Sequence, residues 1–246
     1  MSAVLDRLFT RWYPGVMGMS ERAGQSQIRR AQLSLASGRT LEVGAGNGLS
    51  VPYYGDAVTD LVLVEPDDDF RIALQRTIHQ LTNVPWSVTV VDADAQRLPF
   101  EDATFDTVTA SFTFCSVQRP DLGLDELHRV LRPGGQFLFH EHVRGQGPRA
   151  RFQDLMTPLQ VLLAGGCHPN RDFVSTLHRS PFQIDHLVLD RMPRAFPTIS
   201  PVVHGSASRQ EQHTTKQQFS EAELNHRHQF LHRSVGRRVG SADRFS

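Results

Sequence analysis

Long apolar runs, paired cysteines and an excess of charge of either sign are all missing from this sequence. The most apolar stretch, residues 155–166, is interrupted by polar residues and a proline, so no membrane-spanning helix is expected. The amino terminus likewise lacks the apolar segment of a signal peptide. The two cysteines, Cys115 and Cys167, form no C-x-x-C pair, which predicts neither a disulfide framework nor a metal site and favours a cytoplasmic location.

The net charge of the chain gives no reason to expect a polyanionic partner. Arginine and lysine total 26 against 26 acidic residues, and only one of the basic residues, Lys216, is a lysine. Because the net charge is zero, no nucleic acid partner is expected. A length of 246 residues with 39% hydrophobic residues is instead typical of one globular domain with a small appendage.

Three segments differ in pattern along the chain. Apolar residues at helical spacing within 1–37, including a helix over Gln25–Leu35, predict a helical cap. Residues 38–208 carry the domain itself. Residues 209–246 are polar and rich in histidine, so we expect a flexible tail, with at most one helix over Ser220–Leu231.

Short apolar runs alternate with helical patterns through the middle segment. Runs typical of strands occupy Thr40–Val43, Leu61–Val64, Ser87–Val91, Thr107–Phe112 and Gln136–His140, followed by Ile184–Leu189 and Pro201–His204. Helices are predicted over Asp68–Leu81 and Asp172–His178. Strands that alternate with helices predict an α/β fold whose mostly parallel sheet is covered on both faces.

A glycine cluster directly follows the first predicted strand. Gly44, Gly46 and Gly48 remove side chains where the main chain of an open α/β sheet contacts ligands. The nicotinamide dinucleotide fingerprint requires its third glycine where this chain has Leu49. A tight strand-to-helix turn without any ligand is the alternative.

Two acidic residues follow the next two strands. Glu65 ends the second strand, at the position where a carboxylate accepts hydrogen bonds from ribose hydroxyls. Asp94 follows the third strand and can accept a bond from an adenine amino group. A solvent-facing glutamate and a helix cap are the respective alternatives.

These motifs in this order resemble the class I S-adenosylmethionine-dependent methyltransferases, and within them the ubiquinone and menaquinone biosynthesis type. The matching segments are 42–48, 64–66, 94–100, 105–106 and 129–135. The resemblance implies a Rossmann-like seven-stranded fold, S-adenosylmethionine as cofactor and methyl transfer to a small molecule. It also implies a set of cofactor-binding residues: Glu42, Gly44, Gly46, Gly48, Glu65, Pro66, Asp94, Ala95 and Ser111.

Segments 114–117, 139–143 and 166–172 are similar to a branch that includes alkyl-thiol methyltransferases. The resemblance implies a small hydrophobic thiol as acceptor. Residues 1–19 depart from the animal members because they lack an apolar anchor, and this departure favours a soluble acceptor over a lipid. The acceptor pocket is then expected to include Tyr13, Phe112 and Cys115. His142 or His168 is the catalytic candidate that takes the thiol proton, against structural roles for both.

The sequence is also compatible with other functions. A phospholipid amine or a quinone precursor is the alternative acceptor, with peripheral membrane contact. A nicotinamide oxidoreductase shares the glycine turn and the acidic residue of the second strand. A non-catalytic adenosyl-binding protein, whose arginine-bearing tail contacts a polyanion, is the third. The oligomeric state is not predicted.

Overall fold

A computed structural model of the protein describes residues 15, 18–81 and 84–211. The chain divides into two compact units, 1–210 and 211–246, and the fold below is that of the first. Tyr13 and the predicted helix Ser220–Leu231 lie outside the described residues, so the expectations for the pocket residue and for the tail remain predictions.

Within the described residues, this unit contains seven strands and five α-helices. The strands are β1 Gly38–Val43, β2 Val58–Val64, β3 Ser87–Val91, β4 Phe105–Ser111, β5 Leu131–His142, β6 Gln183–Arg191 and β7 Pro201–Ser208. The helices are α1 Ser26–Leu33, α2 Asp68–Gln80, α3 Pro120–Val130, α4 Gly147–Leu163 and α5 Phe173–Arg179. A π-helical turn, Glu21–Gln25, precedes α1, and a 3-10 turn, Val51–Tyr53, follows β1. All seven predicted strands are present, whereas α3 and α4 match none of the helices predicted from the sequence.

The seven strands form one sheet in the order β3-β2-β1-β4-β5-β7-β6. Strands β1 to β5 pair in parallel, and β7 runs antiparallel to both β5 and β6. The chain order reverses between β1 and β4, which places a crevice at the carboxyl ends of these strands. The expected α/β fold with a mostly parallel seven-stranded sheet is confirmed.

Both faces of the central strands β1, β2 and β4 are buried, as their unbroken apolar runs predict, whereas the edge strands β3 and β6 are partly exposed. Alternate residues of β2 show this: Val62 and Val64 pack into one core cluster with helices α3 and α5, whereas Leu61 and Leu63 pack into a second with α1 and α2. Helices therefore cover the sheet on both sides. Within the described ranges, no helix combines the length and apolarity needed to cross a bilayer.

Buried polar side chains attach the first helices to the sheet. Arg29 donates to Ser50 and to Glu21, at 2.9 Å in each case. The buried Glu42 of β1 accepts a hydrogen bond from the Tyr54 hydroxyl at 3.1 Å. Burial raises the pKa of Glu42 to about 7, although the hydroxyl of Ser50 and the charge of Arg29 act in the opposite direction.

Arg209, which the sequence places at the start of the tail, directly follows β7 and binds to the end of α3. Arg209 donates from one guanidinium nitrogen to the carbonyl oxygens of His128, Arg129 and Leu131, at 2.7 to 2.9 Å. These carbonyls lie at the carboxyl end of α3, where a cation complements both the unpaired acceptors and the helix dipole. Arg209 is therefore part of the folded unit.

We expect Glu42→Gln to stabilise the protein more at pH 8 than at pH 5. The carboxyl has a pKa of about 7 in the folded chain and about 4.3 when unfolded, so the folded state binds the extra proton. Its destabilising contribution is absent below about pH 4, grows as pH rises and is complete above about pH 7. The gain at pH 8 should reach about 3 kcal/mol, measured by urea unfolding at both pH values. Glu101→Gln, at an exposed carboxylate, is the matched control, and a pH-independent gain in Glu42→Gln would contradict the assignment.

Arg209→Ala should lower the free energy of unfolding by about 1.5 to 3 kcal/mol, because it removes charge-assisted bonds to three carbonyl groups. Urea denaturation measures the loss. Arg191→Ala removes an exposed arginine from β6 and should change stability by no more than about 0.5 kcal/mol. Equal effects of the two substitutions would show that the helix cap contributes nothing.

Candidate functional site

One cavity of about 890 Å³ opens at the carboxyl ends of β1 to β5. Parallel strands end at the same edge, and the order of the sheet places the ends of β3 and β5 four strand spacings apart, about 19 Å. Helix α4 and the loop between β6 and β7 complete the walls. The volume lies near the upper end of the usual range for ligand sites, about 300 to 1,000 Å³, so the cavity has room for a cofactor and a small acceptor.

The fold brings together most of the residues that the sequence singles out. Those that line the cavity are Gly44, Gly46, Glu65, Pro66, Asp94, Ala95, Ser111, Phe112, Cys115 and His142. Glu42, Gly48 and His168 are not among the described residues that line it. Glu42 faces the interior, as described above, and the other two support neighbouring segments.

The glycine turn after β1 brings the main chain to the cavity. Gly44 has a φ of 66°, and a Cβ built on it would lie 2.5 Å from the Thr113 hydroxyl oxygen. At Gly46 a Cβ would meet no atom within 4 Å, so this backbone faces open space. Gly48 instead allows α2 to approach, since a Cβ there would lie 2.8 Å from the Leu74 side chain.

Glu65 directly follows β2 and holds the glycine turn in place. Its carboxylate accepts hydrogen bonds from the backbone N–H of Gly46 at 2.8 Å and of Asp67 at 3.0 Å. Burial raises the pKa of Glu65, whereas the two N–H donors lower it. The side chain is 6% exposed yet lines the cavity. Its remaining lone pairs can therefore accept hydrogen bonds from the donor groups of a ligand in the cavity.

Asp94 lies in the turn after β3. One carboxylate oxygen accepts from the Gln96 backbone N–H at 2.9 Å, and the other accepts from the Gln96 side-chain amide at 2.7 Å. No helix begins at this turn, so the helix-cap alternative does not apply. The exposed carboxylate keeps lone pairs available at the β3 end of the cavity.

Phe112 directly follows β4 in a strained conformation. Its φ of 56° is in the left-handed region, where aromatic residues are genuine outliers and the strain costs of order 1 to 3 kcal/mol. The ring stacks on His142, with centroids 4.5 Å apart and planes 28° apart. The strain therefore places an aromatic ring in the cavity and fixes the plane of the imidazole beside it.

The loop after Phe112 is held from two sides, by the buried Glu141 and by the half-buried Arg171. The Glu141 carboxylate, at the end of β5, accepts from the backbone N–H of Thr113 at 2.8 Å and of Phe114 at 3.1 Å. Burial raises the pKa of Glu141 to about 7, against the lowering effect of these donors. From the other side, Arg171 donates to the carbonyl oxygens of Phe114 and Val117.

Two of the ionisable side chains in the cavity are neutral at physiological pH. Burial lowers the pKa of His142 to about 4, although the nearby backbone of Ile199 acts in the opposite direction. The pKa of the Cys115 thiol is raised, first by its hydrogen bond with Cys167 and then by burial. The lining beside Phe112 therefore carries no charge from either group.

His168, the second catalytic candidate of the sequence, lies outside the cavity lining. Its Nδ1 lies 2.7 Å from the Gly166 carbonyl oxygen. Its backbone N–H donates to the Cys115 carbonyl oxygen at 2.8 Å. Because the side chain does not line the cavity, His168 supports the loop that bears Cys115 through its backbone.

The walls contributed by α4 and the β6–β7 loop are mostly apolar, with Gln160 and Thr198 as the polar exceptions. Phe152, Met156, Leu159 and Leu163 line the cavity from α4, at spacings of four, three and four residues that are typical of one helix face. Pro158 interrupts this pattern in the sequence, but the spacing could have identified the helix. The second wall, residues 196–199, carries no comparable local signal.

The residues present fit an S-adenosylmethionine molecule. The open backbone at Gly46, the buried carboxylate of Glu65 and the exposed carboxylate of Asp94 lie near the ends of β1, β2 and β3. An extended ligand lying across these strand ends, which we call the cofactor half of the cavity, would meet open main chain and two carboxylates that can accept hydrogen bonds. The ends of β4 and β5 with α4, which we call the acceptor half, leave room for a second molecule.

Comparisons with known proteins agree with this architecture. The family described as "Methyltransferase domain" matches residues 41–139. Thiol S-methyltransferase TMT1A of Homo sapiens is 30% identical over 171 residues, which cover 68% of this chain and 69% of the relative. Phosphatidylethanolamine N-methyltransferase of Cereibacter sphaeroides is 32% identical over 164 residues, which cover 65% of this chain and 78% of the relative.

A solved structure shows the same fold. A SAM-dependent methyltransferase of Thermotoga maritima superposes with a TM-score of 0.59 at 19% identity, covering 83% of this chain and 99% of that one. The ordered glycine turn, the acidic residues after β2 and β3, and the similarity to these proteins lead to one assignment. The chain belongs to the class I S-adenosylmethionine-dependent methyltransferases, and S-adenosylmethionine is its methyl donor.

Proposed function

We propose that this methyltransferase transfers the methyl group to the sulfur of a small hydrophobic thiol. The observation that carries the proposal is the lining of the acceptor half, which combines apolar side chains with two thiols and a neutral imidazole. Among the described residues that line the cavity, every formally charged one is acidic: Glu65, Asp67 and Asp94. A small uncharged acceptor fits this lining better than a phosphate-bearing one, which would need a basic partner.

For the cofactor, we propose that the ends of the first three strands each hold one part. The backbone at Gly44 and Gly46 contacts the methionine part, the Glu65 carboxylate accepts from the ribose hydroxyls, and Asp94 accepts from the adenine amino group. Glu42 and Gly48 act indirectly, because they shape the turn from behind the cavity. Pro66 and Ala95 complete the walls of this half, and Ser111, at the end of β4, adjoins it from the acceptor half.

When bound, S-adenosylmethionine supplies an electrophilic methyl group on a sulfonium, so the chain needs no nucleophile of its own. The remaining task of the protein is to align the acceptor sulfur with that carbon and to exclude water. Phe112 and the apolar face of α4 are placed to do both. Cys115 and Cys167 are buried thiols that take no covalent part in this transfer.

Ionisation of the acceptor is the step that the two histidines do not readily explain. A free thiol has a pKa near 8.5 and is only a few per cent thiolate at neutral pH. His142, with a pKa of about 4, is a poor acceptor for that proton, and His168 does not line the cavity. The pocket must therefore favour the thiolate by other means, or the rate must follow the external pH.

A phospholipid amine is the second candidate acceptor, on one specific observation. Apolar side chains of α4 are unusually exposed around the cavity: Leu155 is 75% exposed and Leu159 is 50% exposed. Such a surface can contact lipid tails, and one relative is a phosphatidylethanolamine N-methyltransferase. A nicotinamide oxidoreductase would share the glycine turn, but the chain belongs to a methyltransferase family instead.

Glu65→Ala should weaken the binding of S-adenosylhomocysteine by about 10- to 150-fold, since it removes charge-assisted hydrogen bonds worth about 1.5 to 3 kcal/mol. Isothermal titration calorimetry measures the affinity, and circular dichroism shows whether the fold is retained. Glu101→Ala, at an exposed carboxylate, is the control and should bind like the unmodified protein. A folded Glu65→Ala variant with unchanged affinity would show that the ribose lies elsewhere.

A small hydrophobic thiol should be methylated faster than a phosphatidylethanolamine or a quinol, because no lysine or arginine lines the acceptor half among the described residues to pair with a phosphate. The measurement is a panel of these acceptors at equal concentration, with methylated products quantified by mass spectrometry. Phosphatidylethanolamine is supplied in vesicles so that the exposed face of α4 can engage them. Methylation of the lipid amine with none of any thiol would overturn the acceptor proposal and leave the methyltransferase assignment intact.

A further inference from the structure

Three potential metal ligands meet in the acceptor half of the cavity. Cys115 comes from the loop after β4, His142 ends β5, and Cys167 follows α4. Their sulfur atoms and a ring nitrogen all lie within 4.8 Å of one another, and all three residues are buried. The sequence predicts no metal site because these residues are far apart along the chain, but the tertiary structure brings them together.

The donor set has the chemistry of a zinc site. Two thiolates and an imidazole favour soft or borderline cations over Mg²⁺ or Ca²⁺. Three protein ligands with one open position are typical of catalytic zinc centres. With Zn–S bonds of about 2.3 Å, tetrahedral geometry separates neighbouring sulfur atoms by about 3.8 Å, so the donors need to close by only about 1 Å.

A second observation concerns the imidazole. His142 is 6% exposed, and its Nδ1 has no hydrogen-bond partner among the described residues. Buried polar atoms without partners are rare and call for an explanation, such as an ion. The Phe112 ring, stacked at 4.5 Å, fixes the imidazole plane and so orients this nitrogen.

Charge balance also favours a divalent cation. Two thiolates, one neutral imidazole and one divalent cation have no net charge, which lowers the cost of burial. Arg171 donates to the carbonyl oxygens of Phe114 and Val117 on either side of Cys115. Its positive charge would offset the negative charge of an additional thiolate ligand.

We propose that Cys115, Cys167 and His142 bind one zinc-class divalent cation whose open coordination position faces the cavity. All three residues line that cavity, so a ligand entering it reaches the cation directly. The further assignment, that the acceptor thiol takes the open position, rests on the proposed function.

The chemistry balances without any further reactant. The acceptor thiol loses its proton to solvent as its sulfur coordinates the cation, because a coordinated thiol is deprotonated. The sulfur then forms a bond to the methyl carbon while the bond from that carbon to the sulfonium breaks, and its electron pair stays on the cofactor sulfur. The products are a thioether and S-adenosylhomocysteine, both uncharged at sulfur, and the thioether leaves as the weaker ligand.

Titration of the reduced full chain with Co²⁺ tests the site directly. The sequence has only two cysteines among 246 residues, so thiolate-to-cobalt charge-transfer absorption can arise only from Cys115 and Cys167. We expect this absorption in the unmodified protein and its displacement by Zn²⁺. Total metal content is a poorer readout because the chain has 12 histidines.

Variants separate the site from its surroundings. His142→Gln should weaken Co²⁺ binding by more than about 10-fold, and Cys167→Ser should lose half or more of the charge-transfer intensity. His178→Gln is the matched control, since this exposed histidine of α5 does not line the cavity, and its affinity for Co²⁺ should be unchanged. If Cys167→Ser fails to fold, His142→Gln and competition with a chromophoric zinc chelator still decide. Absence of the band in folded, reduced protein, or equal affinities of His142→Gln and the unmodified chain, would overturn the proposal.

A rate comparison then tests the role of the cation. Because a free thiol is only a few per cent ionised at neutral pH, zinc-loaded protein should methylate it about 10-fold faster than chelator-treated protein. Equal rates of zinc-loaded and chelator-treated protein would show that the cation takes no part in the reaction, and the proposed thiol methylation would be unaffected. Zinc binding without methylation of any thiol would instead confirm the metal site and overturn the proposed acceptor.

Discussion

The buried carboxylate of Glu141 joins the two strands on which the acceptor half of the cavity depends. It accepts hydrogen bonds from the backbone N–H groups of Thr113 and Phe114, just beyond the end of β4. The cost of burying this carboxyl is visible in its pKa of about 7. The bonds hold the loop that bears Cys115 against the end of β5, next to His142. Together with the bonds that Arg171 donates to Phe114 and Val117, they fix the position of the thiol.

The chemical character of the cavity lining changes from one group of strand ends to the other. The ends of β1, β2 and β3 present backbone, a buried carboxylate and an exposed carboxylate, which are suited to a polar cofactor. The ends of β4 and β5, together with α4, present aromatic, aliphatic and sulfur-containing side chains. The strand ends of the two halves are neighbours in the sheet, about 4.8 Å apart, so the polar and the apolar lining residues lie next to each other but in separate regions. One cavity can therefore hold two molecules of different polarity side by side, and the apolar cores on both faces of the sheet offset the cost of the buried polar groups around it.

The sequence by itself determined the sheet and the strand ends at which we propose that the cofactor binds. Short apolar runs and a glycine turn are local signals, since backbone hydrogen bonding and positive φ depend on neighbouring residues. Glu65 and Asp94 could be placed because each follows a predicted strand, and strand ends share one edge. The family resemblance then supplied the fold and the cofactor, and the comparisons confirm both.

Only the tertiary structure decided which residues meet in the acceptor half. Cys115, His142 and Cys167 have no common spacing, and their contact depends on β4 lying next to β5 and on α4 returning over the strand ends. The structure also showed that Gly48 packs on α2 and that Arg209 caps α3. Side-chain clusters of this kind depend on packing between distant segments, whereas periodicity and spacing report only on neighbours along the chain.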